Sequence, residues 1–485
     1  MSFDKNSFIQ VLRKICGDDM ITDVARLKVY ETDGLTAKKQ VPWIVVLPST
    51  VSDVQRIVAL CAEHDVPVVA RGAGTGLSGG AMPHDHGVLL SLAKFNKILE
   101  VDERACVARI EPGVTNLAIT KAVEHLGLYY APDPSSQIAC TIGGNVAENS
   151  GGVHCLKYGL TVHNVMGLKI VSPQGELYEL GGEALDSAGF DLLALMHGSE
   201  GMLGIVVEVT VKLLVKPSVI CVALVAFDSV TAAAGCVGEI IADGILPAGL
   251  EMMDQLAAEA AESFVHAGYP TDAAALLLCE LDGNVDEVQV QHQQLLSILD
   301  RCGATSVSTA WEEAERFRLW QGRKAAFPAV GRIAPDYYCM DGTIPRRELP
   351  EVLTAISELS EKFALPCANV FHAGDGNLHP LILYDANDSD QLQRAEAFGA
   401  QILALCIEKG GTITGEHGVG VEKIDQMCIQ FSDVELEVFH EVKSSFDHQG
   451  ILNPGKAVPT LSRCAEFGAM HVHVGEEKYS DLERF

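Results

Sequence analysis

The segment Arg71-Gly-Ala-Gly-Thr-Gly-Leu-Ser-Gly-Gly80 follows directly on the apolar run Pro67-Val-Val-Ala70. Gly74, Gly76 and Gly79 have the G-x-G-x-x-G spacing of a dinucleotide fingerprint, which requires a helix to begin inside it. Here Met82-Pro83 and a second apolar run, Val88 to Leu92, follow instead. The sequence therefore predicts strand, glycine loop, strand, and excludes a Rossmann site. Five glycines in nine residues, with Thr75 and Ser78 between them, let successive backbone N–H groups turn toward one anion, a nest suited to a pyrophosphate.

Outward from this loop, Ile44-Val45-Val46-Leu47 reads as a strand. Ser52 is a plausible cap for a helix with Val54, Ile57, Val58 and Cys61 on one buried face. Thr115 can cap a second helix with Leu117, Ala118, Ala122 and Leu126 inward and Gly127 as its stop. Ile205, Val207, Val209, Val211 and Leu213 alternate with other residues in the period-two pattern of a half-buried strand. Lys216-Pro217 reads as a boundary. Beyond it, strands such as Leu276 to Leu281 alternate with helices such as Gln391 to Lys409. The expected fold is α+β: an N-terminal helical segment (1–40), a first domain (41–217), a second with a largely antiparallel sheet (218–450), and a C-terminal segment (451–485) returning to the body.

The 485 residues carry 35 Lys and Arg against 65 Asp and Glu, a net charge of −30. This is the reverse of the basic footprint that nucleic acid or anionic lipid requires. No window reaches the run of about 18 apolar residues that a membrane helix needs, and the N-terminus lacks the apolar core of a signal peptide. Fourteen cysteines are scattered with no C-x-x-C pair, so neither an iron–sulfur cluster in this chain nor a zinc ribbon is indicated. They read as reduced core thiols of a cytoplasmic protein.

Two more glycine-rich clusters follow. One runs from Pro132-Asp-Pro-Ser-Ser136 through Thr141-Ile-Gly-Gly-Asn145 and Ser150-Gly-Gly152 to Tyr158-Gly159; the other is Gly198-Ser-Glu-Gly-Met-Leu-Gly204. Such density of Gly, Ser and Asn leaves backbone groups for a ligand to occupy. Farther on, His372-Ala-Gly-Asp-Gly-Asn-Leu-His379 and Thr414-Gly-Glu-His-Gly-Val-Gly420 bring three imidazoles and a carboxylate into two short loops. These are metal-ligand side chains, and Gly374 and Gly376 let the chain double back so that both histidines aim at one ion. Core histidines and a structural zinc site are the plainer readings.

The three glycine clusters, in this order, resemble the flavin-binding domain of the vanillyl-alcohol oxidase and p-cresol methylhydroxylase superfamily. The two histidine motifs resemble its D-2-hydroxyacid dehydrogenase branch, whose members act on D-lactate, D-2-hydroxyglutarate and glycolate. The resemblance implies a two-part FAD-binding domain of the p-cresol methylhydroxylase type and a substrate and metal-binding cap. It implies FAD contacts from Arg71, Gly72, Gly74, Thr75, Gly76, Leu77, Ser78 and Gly79, from Pro134, Ser135, Thr141, Gly144 and Asn145, and from Gly151, Gly152, Tyr158 and Gly159. Glu200, Gly204, Ile205 and, in the exit motif Leu452-Asn-Pro-Gly-Lys456, Asn453 complete that set. The flavin would be noncovalent, since the 71–80 loop has no His or Cys. His372, His379 and Glu416 would hold a divalent metal (Zn, Mn or Fe), His417 would be the base, and Arg323 would anchor the substrate carboxylate.

Dicarboxylate-specific members of the branch place polar groups where this chain has Phe327, Leu381 and Cys339, so a short monocarboxylate is expected. The stretches Asp336 to Pro345 and Arg463 to His473 are most similar to the glycolate-oxidising members. The expected reaction is metal-assisted oxidation of glycolate to glyoxylate, with D-lactate as the close alternative and a non-flavin metallohydrolase as the rival of another class. Companion flavin and iron–sulfur subunits would carry electrons toward a membrane that this chain does not itself enter.

Overall fold

The computed structural model describes residues 5–184, 189–460 and 463–464. A first sheet has the strand order Met20–Ile21, Ile44–Val46, Val88–Ser91, Val68–Arg71, with the last three strands parallel. The crossover between Ile44–Val46 and Val68–Arg71 is the helix Val51–Glu63, whose Val54, Ile57, Val58 and Cys61 are buried. Its cap is Thr50 rather than Ser52: Thr50 Oγ1 accepts the Asp53 N–H at 3.1 Å, which puts Ser52 inside the first turn. Residues 72–87 join two parallel strands with no helix between them.

A second, antiparallel sheet has the order Ile98–Asp102, Val107–Ile110, Ile205–Lys212, Val165–Val171, Leu177–Gly181. Ile205, Val207, Val209 and Val211 face its core. Thr115 does precede a helix, Asn116–Val123, and Gly127 ends the following 3₁₀ turn at φ +72°. Its buried face, however, is Asn116, Ile119 and Val123, while Leu117, Ala118, Ala122 and Leu126 are half-buried. Asn116 is drawn inward because its amide donates to Pro132 O and Asn145 Oδ1.

The largest sheet is antiparallel, in the order Ser306–Ala310, Val219–Phe227, Ala275–Gly283, Gly249–Asp254, Cys367–Phe371, Pro380–Tyr384, Asp336–Cys339. Ala275–Gly283 is buried on both faces, which explains its unbroken apolar run. Cys221, Val225 and Leu277 pack with Val237 and Leu295 on one side. Val222, Leu224 and Leu278 pack with Ala257 and Ala326 on the other. The architecture is α+β with mostly antiparallel sheets, as expected.

The chain ends its described course by crossing back to the glycine loop. Val68 N–H donates to Ile451 O and Asn453 N–H to Val68 O, both at 2.8 Å. The Asn453 amide donates to Gly80 O and Glu200 O. Lys456 Nζ donates to Gly80 O and Met82 O, and Ala457 N–H donates to Gly420 O. One cysteine expectation is corrected: Cys428 and Cys464 form a disulfide, because the returning chain brings their Cα atoms to 5.3 Å, within bonding reach. The other twelve are free. Of the stretch Arg463 to His473, everything beyond Cys464 lies outside the described residues. Among the described residues no helix is long and apolar enough to cross a membrane.

Candidate active site

A cavity of about 400 Å³ opens between the glycine loops and the largest sheet. Of the cofactor residues expected from sequence, Arg71, Gly72, Gly74, Thr75, Gly76 and Leu77 line it, as do Pro134, Ser135, Thr141, Gly144 and Asn145. Glu200, Gly204 and Ile205 close another wall. Gly74 adopts φ +71°, the left-handed region. A Cβ on Gly72 would strike Thr141 Oγ1, so the glycine loop can meet the Thr141 side chain only without one. At Gly76 a Cβ would meet nothing closer than Glu148 Oε1 at 3.8 Å, so the wall there is open space. That cradle fits a phosphate-bearing cofactor such as FAD. Gly76→Val should therefore fold yet carry no flavin, read from the visible spectrum of purified protein; full occupancy would refute the cradle.

Other expected contacts lie off the cavity wall. Ser78 is fully buried, its carbonyl accepting the N–H groups of Val421 and Glu422. A Cβ on Gly79 would meet Val421 Cγ2 at 2.5 Å. Gly151 N–H donates to Glu416 Oε2 at 3.0 Å, and Gly152 packs on the Asp133 backbone. The Tyr158 hydroxyl donates to Asp282 Oδ2 at 2.5 Å, and the Gly159 carbonyl accepts from Asn164. After Ser150 the second cluster leaves the cavity wall, its groups met by Glu416, the Asp133 backbone, Asn164 and, in the largest sheet, Asp282. Asn453 acts from behind, holding Gly80 and Glu200.

At one end of the cavity stand His379, Glu416 and His417. His372 Nε2 and His379 Nε2 lie 3.5 and 3.4 Å from Glu416 Oε1, and both nitrogens are buried without a hydrogen-bond partner. His417 stacks on His379 with centroids 4.9 Å apart. What positions this group is not visible in the sequence. His372 Nδ1 is 2.8 Å from Glu251 Oε1, a fully buried carboxylate that aims Nε2 at Glu416. Asp341, equally buried, accepts from Thr414 Oγ1 and from the N–H groups of Gly415, Glu416 and His417, and pairs with Lys423 at 3.1 Å. Its Oδ1 is also 3.5 Å from His379 Nε2.

The charges follow from these neighbours. Burial would raise the Glu416 carboxyl, but His372, His379 and His417 hold it down at about 2. Burial pushes His417 down to about 4 despite Asp341, so its ring is neutral at pH 7. Burial opposes charge on His372 too, yet Glu251 and Glu416 hold its pKa well above the ordinary range. Two unpartnered imidazole nitrogens converging on one carboxylate oxygen fit a divalent ion, whose arrival would displace the His372 proton. Glu148, another cavity residue that sequence reasoning missed, is pushed well up by burial and by Glu200.

Arg323, the expected carboxylate anchor, is packed beside the Glu251–His372 pair. It is 2% exposed, and its Nη2 lies 2.7 Å from Glu251 Oε2, off the cavity wall, because the Glu251 carboxylate behind His372 needs a cation. Leu381 faces the core at 0% exposure. Phe327 does line the cavity, its ring edge-on to His379 at 6.2 Å.

Comparison with known proteins agrees with this geometry. Residues 42–181 match an FAD binding domain and residues 216–457 the FAD linked oxidases, C-terminal domain. The chain is 59% identical over 483 residues to the glycolate oxidase subunit GlcD of Escherichia coli K12, covering 99% of this chain and 97% of that one. It is 41% identical over 453 residues to GlcD of Bacillus subtilis, covering 93% and 96%, and 34% identical over 427 residues to a D-lactate dehydrogenase of Anaerostipes hadrus, covering 86% and 89%. A p-cresol methylhydroxylase structure with substrate bound superposes at TM-score 0.79 with 18% identity, covering 94% of this chain and 97% of that one. These matches set aside the metallohydrolase reading. Glycine cradle and histidine loops fall one in each matched segment, and the chain belongs to the FAD-linked oxidase family as an FAD-linked oxidoreductase.

Proposed function

We propose that the protein oxidises a small 2-hydroxy monocarboxylate, with glycolate to glyoxylate as the first assignment and D-lactate as the second. The observation that carries this is the His417 imidazole stacked on His379 beside Glu416 at one end of the glycine-lined cavity. The nearness of the glycolate oxidase subunits supports the choice of substrate.

FAD, when bound, takes up the two electrons and the hydrogen released from the substrate carbon, and a divalent ion on His372, His379 and Glu416 would polarise the substrate oxygens. Glu251 fixes the His372 ring by bonding Nδ1. Asp341 fixes the backbone of residues 415–417, which sets the carboxylate and the base side by side. His417 Nε2, 3.9 Å from Glu416 Oε1, accepts the hydroxyl proton. Phe327 covers the cavity next to His379, excludes water there and offers no partner to a second carboxylate.

D-2-Hydroxyglutarate should accordingly trail glycolate or D-lactate by roughly 10² or more in kcat/KM, because burying an unpaired carboxylate costs several kcal/mol. Single-turnover flavin reduction with glycolate, both lactate enantiomers and D-2-hydroxyglutarate tests this, and fastest reduction by the dicarboxylate sinks the assignment. The relatives named as subunits support a further reading, that companion flavin and iron–sulfur subunits take the electrons onward and supply any contact with a membrane.

A further inference from the structure

The stretch Gly151 to Gly159 has the composition of a cofactor loop yet leaves the cavity wall, and its side chains converge on two buried carboxylates of the strand Ala275–Gly283. Lys157 and Tyr158 meet Asp282, and His154 meets Glu280, two residues earlier on the same face. His154 Nε2 lies 3.0 Å from Glu280 Oε1 and Nδ1 2.9 Å from Asp133 Oδ2. With a carboxylate at each ring nitrogen both must donate, so the ring is an imidazolium. Burial opposes that charge, yet Asp133 and Glu280 hold the His154 pKa well above the ordinary range. Asp133 stands beside Pro134 and Ser135, which line the cofactor cavity. The other oxygen of Glu280, Oε2, accepts from Trp320 Nε1 at 2.6 Å. Trp320 lies on the helix Glu313–Val330, and Arg323 and Phe327 follow it at steps of three and four, on one helix face. Arg323 pairs with Glu251. Gly249 lies directly opposite Glu280 across the two strands, so Glu251, two residues on, shares its face of the sheet. This helix thus stands on two carboxylates of one sheet face.

We propose that His154 is a positioning residue that braces the cofactor loop against the substrate end of the site. Asp133, His154, Glu280 and Trp320 form an unbroken chain of hydrogen bonds from the loop at Pro134 to the helix bearing Phe327 and Arg323, the expected carboxylate anchor. The assignment rests on the functional reading above. None of the four side chains is on the cavity wall, so the brace acts through what it holds, the spacing between flavin cradle and substrate anchor. A neutral imidazole would donate to one carboxylate only and leave the other end loose.

The test reads both ends of the site in the FAD-loaded enzyme: the rate of FAD release on dilution, followed by flavin fluorescence, and the apparent affinity for glycolate in rapid-reaction flavin reduction. His154→Gln can donate to one carboxylate only, and Trp320→Phe keeps an aromatic ring but loses the N–H. Each should speed FAD release and weaken glycolate affinity by about tenfold, the weight of one hydrogen bond to a charged group. Trp320→Phe is the sharper variant, because Trp320 sits beyond Glu280 and off the cavity wall, where a purely local packing role leaves FAD release normal. Combining the two should cost no more than the worse single variant, since both cut one chain. Unchanged FAD release in Trp320→Phe overturns the assignment, as do losses that multiply in the double variant. Should His154→Gln not fold, FAD release in Trp320→Phe decides alone. A wild-type flavin inert to every 2-hydroxy monocarboxylate overturns the functional reading, whereas FAD release needs no substrate and still decides the brace: faster release in Trp320→Phe supports it and unchanged release overturns it.

Discussion

His417→Ala is expected to keep its flavin and to lose about 10²–10⁴ in the rate of flavin reduction by substrate, the usual contribution of a positioned general base. The substitution is clean because the loop is held by backbone. The N–H groups of Gly415, Glu416 and His417 bind Asp341, and none of them depends on the imidazole. His372 and His379 keep their approach to Glu416. Stopped-flow reduction under anaerobic conditions reads the rate directly. Near wild-type reduction would remove His417 from the proton transfer.

The second large effect concerns a residue that need not touch substrate. Asp341→Ala should destabilise the protein by about 3–5 kcal/mol, because it leaves the fully buried Lys423 ammonium without its partner. It also frees three backbone N–H groups and the Thr414 hydroxyl at once, so the Glu416 and His417 loop should lose its shape. Burial would raise the Asp341 pKa, but Lys423 and His417 hold it well below the ordinary carboxylate range. A depressed pKa means that this stability is present above the unfolded value of about 4 and is lost as pH falls below it. Denaturation midpoints at neutral and acid pH would show the Asp341→Ala deficit shrinking on acidification. Adding Lys423→Met to Asp341→Ala should recover part of the loss at neutral pH. A single-variant cost below about 1 kcal/mol would refute the account.

Motifs whose chemistry is local in sequence were readable in advance. The 71–80 loop could be assigned because its glycines and the strands on either side lie within some twenty residues, and the two histidine loops because each carries its own turn. What escaped notice depends on distant partners. Glu251 meets His372 across 121 residues, and Asp341 meets Glu416 across 75. The visible signal was a carboxylate inside the strand Gly249–Asp254 in one case and two residues beyond the strand Asp336–Cys339 in the other, which spacing cannot pair with anything. The same limit explains Arg323. Sequence marked this cation, but only packing shows that Glu251 faces it. It explains Tyr158 and Gly159 as well, since the composition of a cofactor loop and that of a loop bonded to Asp282 and Asn164 are alike.

The return of residues 451–457 to the glycine loop has a bearing on how the protein is made. Lys456 meets Gly80 across 376 residues, and Ala457 reaches back to Gly420. Both loops therefore stay unlatched until translation has passed this point and the segment has cleared the ribosome. Contacts so remote in sequence form late and slowly, so the two loops are clasped only after residue 457 has emerged. A prematurely terminated chain stopping near residue 450 would carry every flavin-cradle glycine and every metal-ligand candidate, yet lack the clasp that holds them for use.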